Sequence, residues 1–347
     1  MLLGHHITSD SGHFREFADR IAAYEQAGLD AVWVSEAYGI DAVSRLGYLA
    51  ARTERVLLGS GILPIYSRTP ALLAQTAAGL DYVSNGRAIL GLGASGPQVI
   101  EGWHGVRYDK QLGRTREIVD VCRRIWRREV IQHQGASYTM PLPPEQGTGL
   151  GKPLKIIGQP VRSRIPIYLA TLGPKAVEMT AEIAEGWMPI FFWPERADGL
   201  WGEALRRGLA KRDPELGSLE IVAGGLAAVG ERLEHLRDQE RPHLALYIGG
   251  MGARGANFYN DLARDYGCPD EARLIQDLYL DGKKAEAAAA VPEPLLEGTT
   301  LIGPDSYIRD RLAAYKAAGV TMLNVTPVGP DDPARTIAHL KELAATS

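Results

Sequence analysis

The feature that most constrains the fold is a repeated unit running from a helix through a glycine into an apolar strand. Residues 23–35 read AYEQAGLDAVWVS and residues 314–326 read AYKAAGVTMLNVT, with five of the thirteen positions identical. A weaker copy, AEIAEGWMPI, spans 181–190. Each copy predicts a helix, a glycine at its C-terminal cap, where left-handed backbone is common, and then a buried strand. Repeated αβ units of one type are typical of closed barrels.

Short β-rich runs alternate with amphipathic segments along the chain, which is the pattern of a parallel sheet. Phe14, Phe17, Ile21 and Tyr24, for example, fall three to four residues apart, as one helix face requires. The predicted strands span residues 2–7, 31–35, 56–63, 88–93, 165–170, 186–192, 219–229 and 321–326. The sequence therefore predicts one α/β domain over residues 1–347, a TIM-type (β/α)₈ barrel.

Two long segments interrupt the alternation, one after the fourth predicted strand and one after the seventh. Residues 131–164 are rich in Gly, Pro and Gln, and residues 231–296 hold several helices that end in an alanine-rich run. Active sites of such barrels lie at the C-terminal ends of the strands, where these segments begin. We therefore expect both insertions to shape a substrate pocket.

Composition excludes several classes of protein. The net charge of -4 argues against a nucleic-acid partner, and the chain has no apolar run long enough for a membrane partner. The N-terminus is too short and too polar for a signal peptide, and Cys122 and Cys268 form no disulfide framework. We expect a reduced, cytoplasmic chain.

Two glycine motifs follow predicted strands. Gly91 to Gly96 matches G-x-G-x-x-G. A long helix follows, however, and no predicted strand comes soon enough after it to complete the short βαβ unit of a dinucleotide-binding fold. We interpret it as a strand end where backbone must approach a ligand closely. In Gly173-Pro174-Lys175, proline at the first helical position predicts a helix N-terminus, which is either a phosphate site or an ordinary helix start.

Candidate proton-transfer groups are few. Glu36 ends the second predicted strand, and a carboxylate there can act as acid or base, or simply form an ion pair. His5 and His6 are adjacent on a strand and so point to opposite faces; if Gly4 faces the barrel axis, so does His6. No pair among the eight histidines has metal-ligand spacing on a helix, and no metal is expected.

Several segments together resemble the luciferase-like (bacterial-luciferase-type) oxidoreductases. They are GLDAVWVSE at 28–36, GSGILP at 59–64, SNGRAILGLG at 84–93, and Gly303-Pro304 with AAG at 317–319. Within that family, residues 94–105 and 247–255 resemble a branch that uses coenzyme F420, a deazaflavin. The resemblance covers most of the chain and is weakest between 231 and 296.

The resemblance implies roles for particular residues. Gly61-Ile62 matches the place of a non-prolyl cis peptide that supports the deazaflavin ring, and residues 170–173 match a phosphate-binding turn. The implied cofactor-binding residues are Glu36, Gly61, Ile62, Gly93, Ala94, Ser95, Ala170, Thr171, Leu172 and Gly173. Lys152, Lys155, Arg162, Arg164 and Lys175 cluster in sequence around the turn and are predicted to face the carboxylate-bearing tail of the deazaflavin.

Two departures bear on the substrate. Ala37 stands where a sugar-phosphate-oxidising relative has a histidine, and residues 190–193 stand near that relative's phosphate-binding lysine, so the substrate is not expected to be a sugar phosphate. The proton-transfer candidates are then His6, Glu36 and His104. Trp103, Phe191, Phe192 and Trp193 are predicted to line an apolar pocket, although alternation places one of the two phenylalanines in the core.

The sequence thus predicts a coenzyme F420-dependent oxidoreductase that transfers hydride between the cofactor and a small, apolar organic molecule. One alternative is an FMN-dependent, two-component monooxygenase fed by a separate reductase. Another is a deazaflavin- or flavin-binding protein without turnover. The resemblance also favours a homodimer.

Overall fold

A computed structural model describes residues 1–8 and 13–346, and it confirms the closed parallel barrel. The barrel strands are β1 (Leu2–Ile7), β2 (Ala31–Val34), β3 (Leu57–Ser60), β4 (Ala88–Gly93), β5 (Ile167–Ala170), β6 (Gly186–Trp187), β7 (Glu220–Val229) and β8 (Met322–Pro327). Each strand pairs in parallel with the next, and β8 closes on β1 with Met322 opposite Leu2. The predicted insertions lie between β4 and β5 and between β7 and β8.

Helices surround the barrel and build the insertions. The α-helices are α1 (Phe14–Gln26), α2 (Ala42–Ala50), α3 (Pro70–Val83), α4 (Pro97–Gly102), α5 (Gln111–Trp126), α6 (Pro174–Ile183), α7 (Pro194–Ala197), α8 (Glu203–Leu209), α9 (Arg241–Ala245), α10 (Phe258–Asp265), α11 (Pro269–Leu280), α12 (Lys284–Ala289), α13 (Glu293–Thr299), α14 (Asp305–Ala317) and α15 (Pro333–Thr346). Short 3₁₀ turns span Pro144–Gln146, Pro214–Leu216 and Glu234–Glu240, and π turns span Asp198–Gly202 and Leu246–Gly250. In the described part of the chain, no helix is both long and apolar enough to cross a membrane.

The two strong copies of the repeated unit fold as predicted. Gly28 and Gly319 follow α1 and α14 with φ of +100° and +86°, the left-handed conformation that suits glycine. The third copy is wrong in one respect, because Gly186 is the first residue of β6 rather than a helix cap. A Cβ atom there would lie 2.5 Å from the ring of Tyr168, so this glycine is required by packing.

Other differences concern short or interrupted strands. The predicted strand over 56–63 is two pieces, because the chain leaves β3 after Ser60 and pairs again with β4 only at Leu63–Pro64. The predicted strand over 186–192 stops at Trp187. The hairpin of His133–Gln134 with Thr139–Met140, and Leu301–Gly303 beside the end of β7, were not predicted. Segments of two or three residues are too short to show a hydrophobic period.

Two large aromatic side chains fill the barrel interior, and glycines on neighbouring strands make room for them. The rings of Trp33 and Tyr168 lie 5.4 Å apart. A Cβ atom on Gly59 would lie 2.3 Å from Trp33 Cε3, just as one on Gly186 would meet Tyr168. The barrel is therefore a packed core below the ends of the strands, and ligands have access only from above it.

Candidate active site

The first strand places one histidine inside the barrel and one outside it, as alternation predicts. His6 lies on the same side as Gly4, whose Cα faces Trp33 and the other interior side chains. His5 points outward, with its ring 6.3 Å from Phe17 and 5.4 Å from Tyr24. His6 is thus the histidine of β1 that faces the mouth of the barrel.

His6 joins the ends of the first three strands through a small hydrogen-bond network. Its Nε2 lies 3.0 Å from the carbonyl oxygen of Gly61 and 2.8 Å from Ser35 Oγ, and Ser35 Oγ donates to the same carbonyl at 3.1 Å. We assign the ring proton to Nε2, because the carbonyl can only accept. Nδ1 is then an acceptor that has no partner among the described residues and still reaches solvent.

The environment keeps His6 neutral. Burial lowers the pKa of His6 to about 4, the Gly61 hydrogen bond opposes that shift, and the charges of His5 and His243 add to it. At neutral pH the imidazole therefore offers a lone pair at Nδ1 rather than a second N–H.

The predicted cis peptide bond between Gly61 and Ile62 is confirmed. The side chain of Ile62 lies against the end of β4. A Cβ atom on Gly93 would lie 3.0 Å from Ile62 Cγ1 and 3.5 Å from the Cβ of Ala170. Four of the predicted cofactor residues thus form one continuous surface at the ends of β3, β4 and β5.

The glycines of β4 approach protein rather than open space. A Cβ on Gly91 would lie 1.8 Å from the backbone oxygen of Ser60, so the neighbouring strand requires this glycine. Ala94 follows the strand end, and Ser95 has a φ of +58°, with its carbonyl oxygen accepting from the hydroxyl of Tyr108 at 3.0 Å. The predicted ligand-facing turn is therefore held in place from the β4 insertion.

The predicted phosphate turn at 170–173 is held from beneath by two tryptophans. The carbonyl oxygens of Thr171 and Leu172 accept from the indole N–H groups of Trp187 and Trp201, both at 2.9 Å. The last residue of the turn caps α6, and no atom lies within 4 Å of the Cβ position there. The N-terminus of α6 is therefore open, and its geometry suits an anion.

Glu36 lies at the mouth, and both of its carboxylate oxygens already accept hydrogen bonds. Its two carboxylate oxygens accept from Arg68 at 2.6 and 2.8 Å, and one also accepts from the N–H of Ala42 at 3.1 Å. Arg68 also contacts Asp41 at 3.0 Å. Transfer of a proton by Glu36 would require this pair to break, so the geometry favours His6 over Glu36. The third candidate, His104, has a buried Nε2 without a partner among the described residues.

An apolar cavity of about 290 Å³ lies beside these strand ends. Trp103 is 67% exposed, with its ring 6.5 Å from that of Tyr38. The lining residues are Tyr38, Gly96, Gln98, Val99, Gly102, Trp103, Gly250 and Met251. No ionisable side chain other than the tyrosine phenol is among them, so the cavity suits an uncharged molecule.

The match to known proteins decides the family. The family model of luciferase-like monooxygenases matches residues 1–322. The chain belongs to that family. A putative coenzyme F420-dependent oxidoreductase of Mycobacterium tuberculosis is 42% identical over 328 residues, which cover 93% of each chain. A 5,10-methylenetetrahydromethanopterin reductase of Archaeoglobus fulgidus is 26% identical over 315 residues, 88% of each chain.

A solved structure shares the whole fold of this luciferase-like protein. The coenzyme F420-dependent tetrahydromethanopterin reductase of Methanopyrus kandleri superposes with a TM-score of 0.78 over 99% of this chain and 98% of its own. Sequence identity is 21%, so this likeness concerns the architecture. The closed barrel with its two insertions is therefore the fold of the family.

The predicted aromatic pocket of this luciferase-like protein needs correction. Phe192 is 1% exposed and stacks on Trp201 at 5.7 Å, so it is the phenylalanine that alternation assigns to the core. The ring of Trp193 lies 5.5 Å from Tyr266 and against Gly298, which places it in the packing of α13. Neither side chain lines the cavity.

Phe191 instead meets three residues that sequence reasoning missed. Its ring lies 5.3 Å from those of His243 and Tyr247 and 6.4 Å from that of Tyr259. We call Phe191, His243, Tyr247 and Tyr259 the aromatic cluster. The segment from 247 to 255 carried the family resemblance, but no periodicity predicts which rings of an insertion meet a barrel strand.

The predicted basic field around the phosphate turn is wrong for Arg162 and Arg164. Arg162 pairs with the buried Asp81 and donates to the carbonyl at the start of β4, and Arg164 pairs with Glu185 just before β6. Both arginines therefore lie at the N-terminal ends of the strands, opposite the turn. The two arginines end the insertion that leads into β5, so they lie where β5 begins. The phosphate turn lies where β5 ends, and the residues are therefore near the turn in sequence but not in space. Lys175, in the first turn of α6, does adjoin the phosphate turn.

Proposed function

We propose that this luciferase-like protein is a coenzyme F420-dependent oxidoreductase that transfers hydride between the cofactor and a small, apolar organic molecule. The observation that carries the proposal is the 42% identity, over 93% of both chains, to the mycobacterial oxidoreductase named for that cofactor. The geometry is consistent with it. The surface of Gly61, Ile62, Gly93 and Ala170, which we call the ring bed, lies at the barrel mouth with the open N-terminus of α6 and the apolar cavity.

The residues at the mouth fit the parts of the cofactor. Gly61, Ile62, Gly93 and Ala170 form the surface that would support the ring, and the turn at 170–173 would hold the phosphate through backbone N–H groups. Glu36, Ala94 and Ser95 lie beside that surface at the ends of β2 and β4. The bound cofactor would supply the hydride chemistry, and the protein positions it and excludes water.

His6 is the proposed proton-transfer group. Its Nε2–H is held by Gly61 and Ser35, which fixes the ring and leaves Nδ1 as the acceptor. In the direction of alcohol oxidation, Nδ1 would accept the hydroxyl proton, and the bound oxidised cofactor would take the hydride from the carbon. Since its pKa lies below the working pH, His6 is a modest base whose main advantage is its fixed position.

A second candidate is an FMN-dependent monooxygenase, with a separate reductase supplying reduced flavin. One observation favours it: Arg162 and Arg164 lie at the far end of the barrel, so less positive charge faces the carboxylates that distinguish the deazaflavin tail. The ring bed and phosphate turn would serve either cofactor.

Direct titration of the cofactor-free protein separates these functions. We expect coenzyme F420 to bind more tightly than FMN, and its affinity to fall less than about 3-fold between low and high salt, because few basic groups adjoin the turn. Fluorescence quenching of each cofactor measures both affinities. Tighter binding of FMN, with oxygen-dependent product formation from reduced flavin, would establish the monooxygenase instead. Binding without reduction of any tested ketone or imine would favour the non-catalytic reading.

We propose that the protein is a homodimer joined through α2 and α3, since these neighbouring helices expose Tyr48, Leu72, Tyr82 and Val83. Leu72 and Val83 lie on one face of α3 and are 47% and 58% exposed. Light scattering is expected to give twice 37.7 kDa for the wild type and a monomer for the double variant Leu72→Glu, Val83→Glu. Val130→Glu, a change at an exposed apolar residue on another surface, should remain dimeric. A monomeric wild type at micromolar concentration contradicts the proposal.

A further inference from the structure

We propose that the hydroxyl groups of Tyr247 and Tyr259 bind the oxygen atom of the substrate. This inference rests on the proposed function and adds to it the polar anchor of an otherwise apolar pocket. Both residues belong to the insertion after β7, which sequence reasoning assigned only a general role.

The aromatic cluster fixes the two rings. Tyr247 and Tyr259 meet edge to face with ring centres 4.7 Å apart, and His243 meets Tyr247 in the same way at 4.8 Å. Phe191, four residues after the sixth barrel strand, completes the cluster. Edge-to-face packing on several sides leaves a ring little rotational freedom, so each hydroxyl is held in one place.

Neither hydroxyl has a hydrogen-bond partner among the described residues. Two other enclosed tyrosines do: Tyr266 donates to the Phe191 carbonyl at 2.8 Å, and Tyr66 donates to the Asp109 carbonyl at 2.7 Å. The hydroxyl of Tyr307 also has no partner among the described residues, but it is sealed from solvent. The hydroxyls of Tyr247 and Tyr259 are not sealed from solvent. Two fixed, unpaired donors that reach open space are what an oxygen-bearing ligand requires.

The two tyrosines lie near residues of the mouth. Burial raises the pKa of Tyr247, and the charge of Tyr38, which lines the cavity, raises it further. Burial also raises the pKa of Tyr259, with contributions from Tyr247 and from Tyr108, whose hydroxyl is bonded at the end of β4. Both groups therefore stay protonated and remain hydrogen-bond donors at neutral pH.

Tyr247 belongs to a π turn that ends at the cavity wall. Leu246–Gly250 forms this turn, and Asn257 Nδ2 donates to the carbonyls of Tyr247 and Ile248, both at 3.0 Å. The last residue of the turn, Gly250, and the residue after it, Met251, are part of the cavity wall. Asn257 is thus a positioning residue, and π turns are frequent at functional sites.

The chemistry of the ligand follows from these neighbours. Two neutral O–H donors suit a carbonyl or alcohol oxygen, and the uncharged cavity beside them suits a hydrocarbon body. We therefore infer a ketone and secondary-alcohol pair as the substrate class. In the reduction direction the bound deazaflavin would supply hydride to the carbonyl carbon, His6 would pass a proton from solvent to the oxygen, and both tyrosines would hold that oxygen.

The test compares two probes of similar shape, cyclohexanone and methylenecyclohexane, which differ in the oxygen. Ligand-observed NMR titration of the full chain, with and without coenzyme F420, gives both affinities. Tyr247→Phe and Tyr259→Phe are each expected to weaken cyclohexanone binding about 5- to 10-fold, the size of one hydrogen bond. Binding of methylenecyclohexane should change less than about 2-fold, because the rings are kept. Tyr307→Phe, the same change at a tyrosine of α14 that does not line the cavity and whose hydroxyl also has no partner among the described residues, is the matched control.

Three results would overturn the proposal. Equal losses for both probes assign the tyrosines to packing, and no loss for either probe means that the hydroxyls contact only water. If the wild type binds neither probe, ketones and secondary alcohols are excluded as the substrate class. If coenzyme F420 does not bind but the ketone loses affinity in the variants, the cofactor assignment fails while the oxygen site stands.

Discussion

Replacing His6 with Gln is expected to lower turnover by roughly 10²–10³-fold, the lower part of the range for general acid–base groups. Gln can still donate from its amide nitrogen to Gly61, so the end of β3 keeps its hydrogen bond, while the acceptor at Nδ1 is lost. Steady-state rates with a secondary alcohol and oxidised F420 measure the loss. Cofactor affinity should stay within a few-fold, because His6 lies below the ring bed rather than at the phosphate turn.

Two variants serve as comparisons for His6. Ser35→Ala removes a neighbour of Nε2 and should lower turnover less than about 10-fold, since Gly61 still orients the ring. Glu36→Gln disrupts a largely buried pair with Arg68 and should reduce the free energy of unfolding more than it reduces turnover. A His6→Gln enzyme with near-normal rates would assign proton transfer to His104, to water or to another group.

The pH dependence of the His6 effect has a defined sign. Because the folded pKa of about 4 lies below the ordinary value of 6.5, the unfolded chain binds more protons between these two values. The stability that neutral His6 contributes is therefore present above pH 6.5 and is lost as the pH falls toward 4. Turnover that depends on Nδ1 should be flat through neutral pH and fall as the pH approaches 4.

Gly59→Ala is expected to lower the free energy of unfolding by about 3 kcal/mol or more, at or beyond the upper end for overpacked cores. The new Cβ would lie 2.3 Å from two carbons of the Trp33 ring, which is fully buried and packed on Tyr168. Neither the strand nor the ring has space to move. Denaturant unfolding followed by circular dichroism measures the change.

A helix glycine provides the matched control. Gly113→Ala in α5 meets no atom within 4 Å and should raise the free energy of unfolding by about 0.4–1 kcal/mol. Trp33→Leu introduced with Gly59→Ala should recover part of the loss, because the two residues compete for one volume. Equal stability of Gly59→Ala and the wild type would show that the barrel core is looser than these contacts indicate.

The sequence predicted what depends on local pattern. The repeat around Gly28 and Gly319 gave the αβ unit, alternation placed His6 inside and His5 outside, and Pro174 marked the open end of α6. What it misassigned depends on the path of the chain in three dimensions. Arg162 and Arg164 are near the phosphate turn in sequence but pair at the far end of the barrel.

In the candidate site, too, features at the strand ends could be predicted, whereas contacts made by the insertion could not. The resemblance identified the Gly61–Ile62 bond and the turn at 170–173, because both lie where barrel strands end. It could not choose between Phe191 and Phe192, since both are apolar and both are buried. A φ of +51° at Phe191 interrupts the alternation that would otherwise set the direction of its ring. The tyrosines of the aromatic cluster reach the mouth through an insertion whose fold has no short-range signature.

The insertion that carries Tyr247 and Tyr259 begins and ends on the same strand. Leu301–Gly303 pairs with the last residues of β7, Ala227 opposite Leu301, before α14 leads to β8. With its ends pinned side by side, this segment is a closed excursion, and doubling its length adds only about 0.6 kcal/mol of loop-closure entropy. The eight barrel strands pair with one another without residues from this segment. The pocket wall can therefore be lengthened, shortened or exchanged as a cassette while the eight strands, the ring bed and His6 stay as they are.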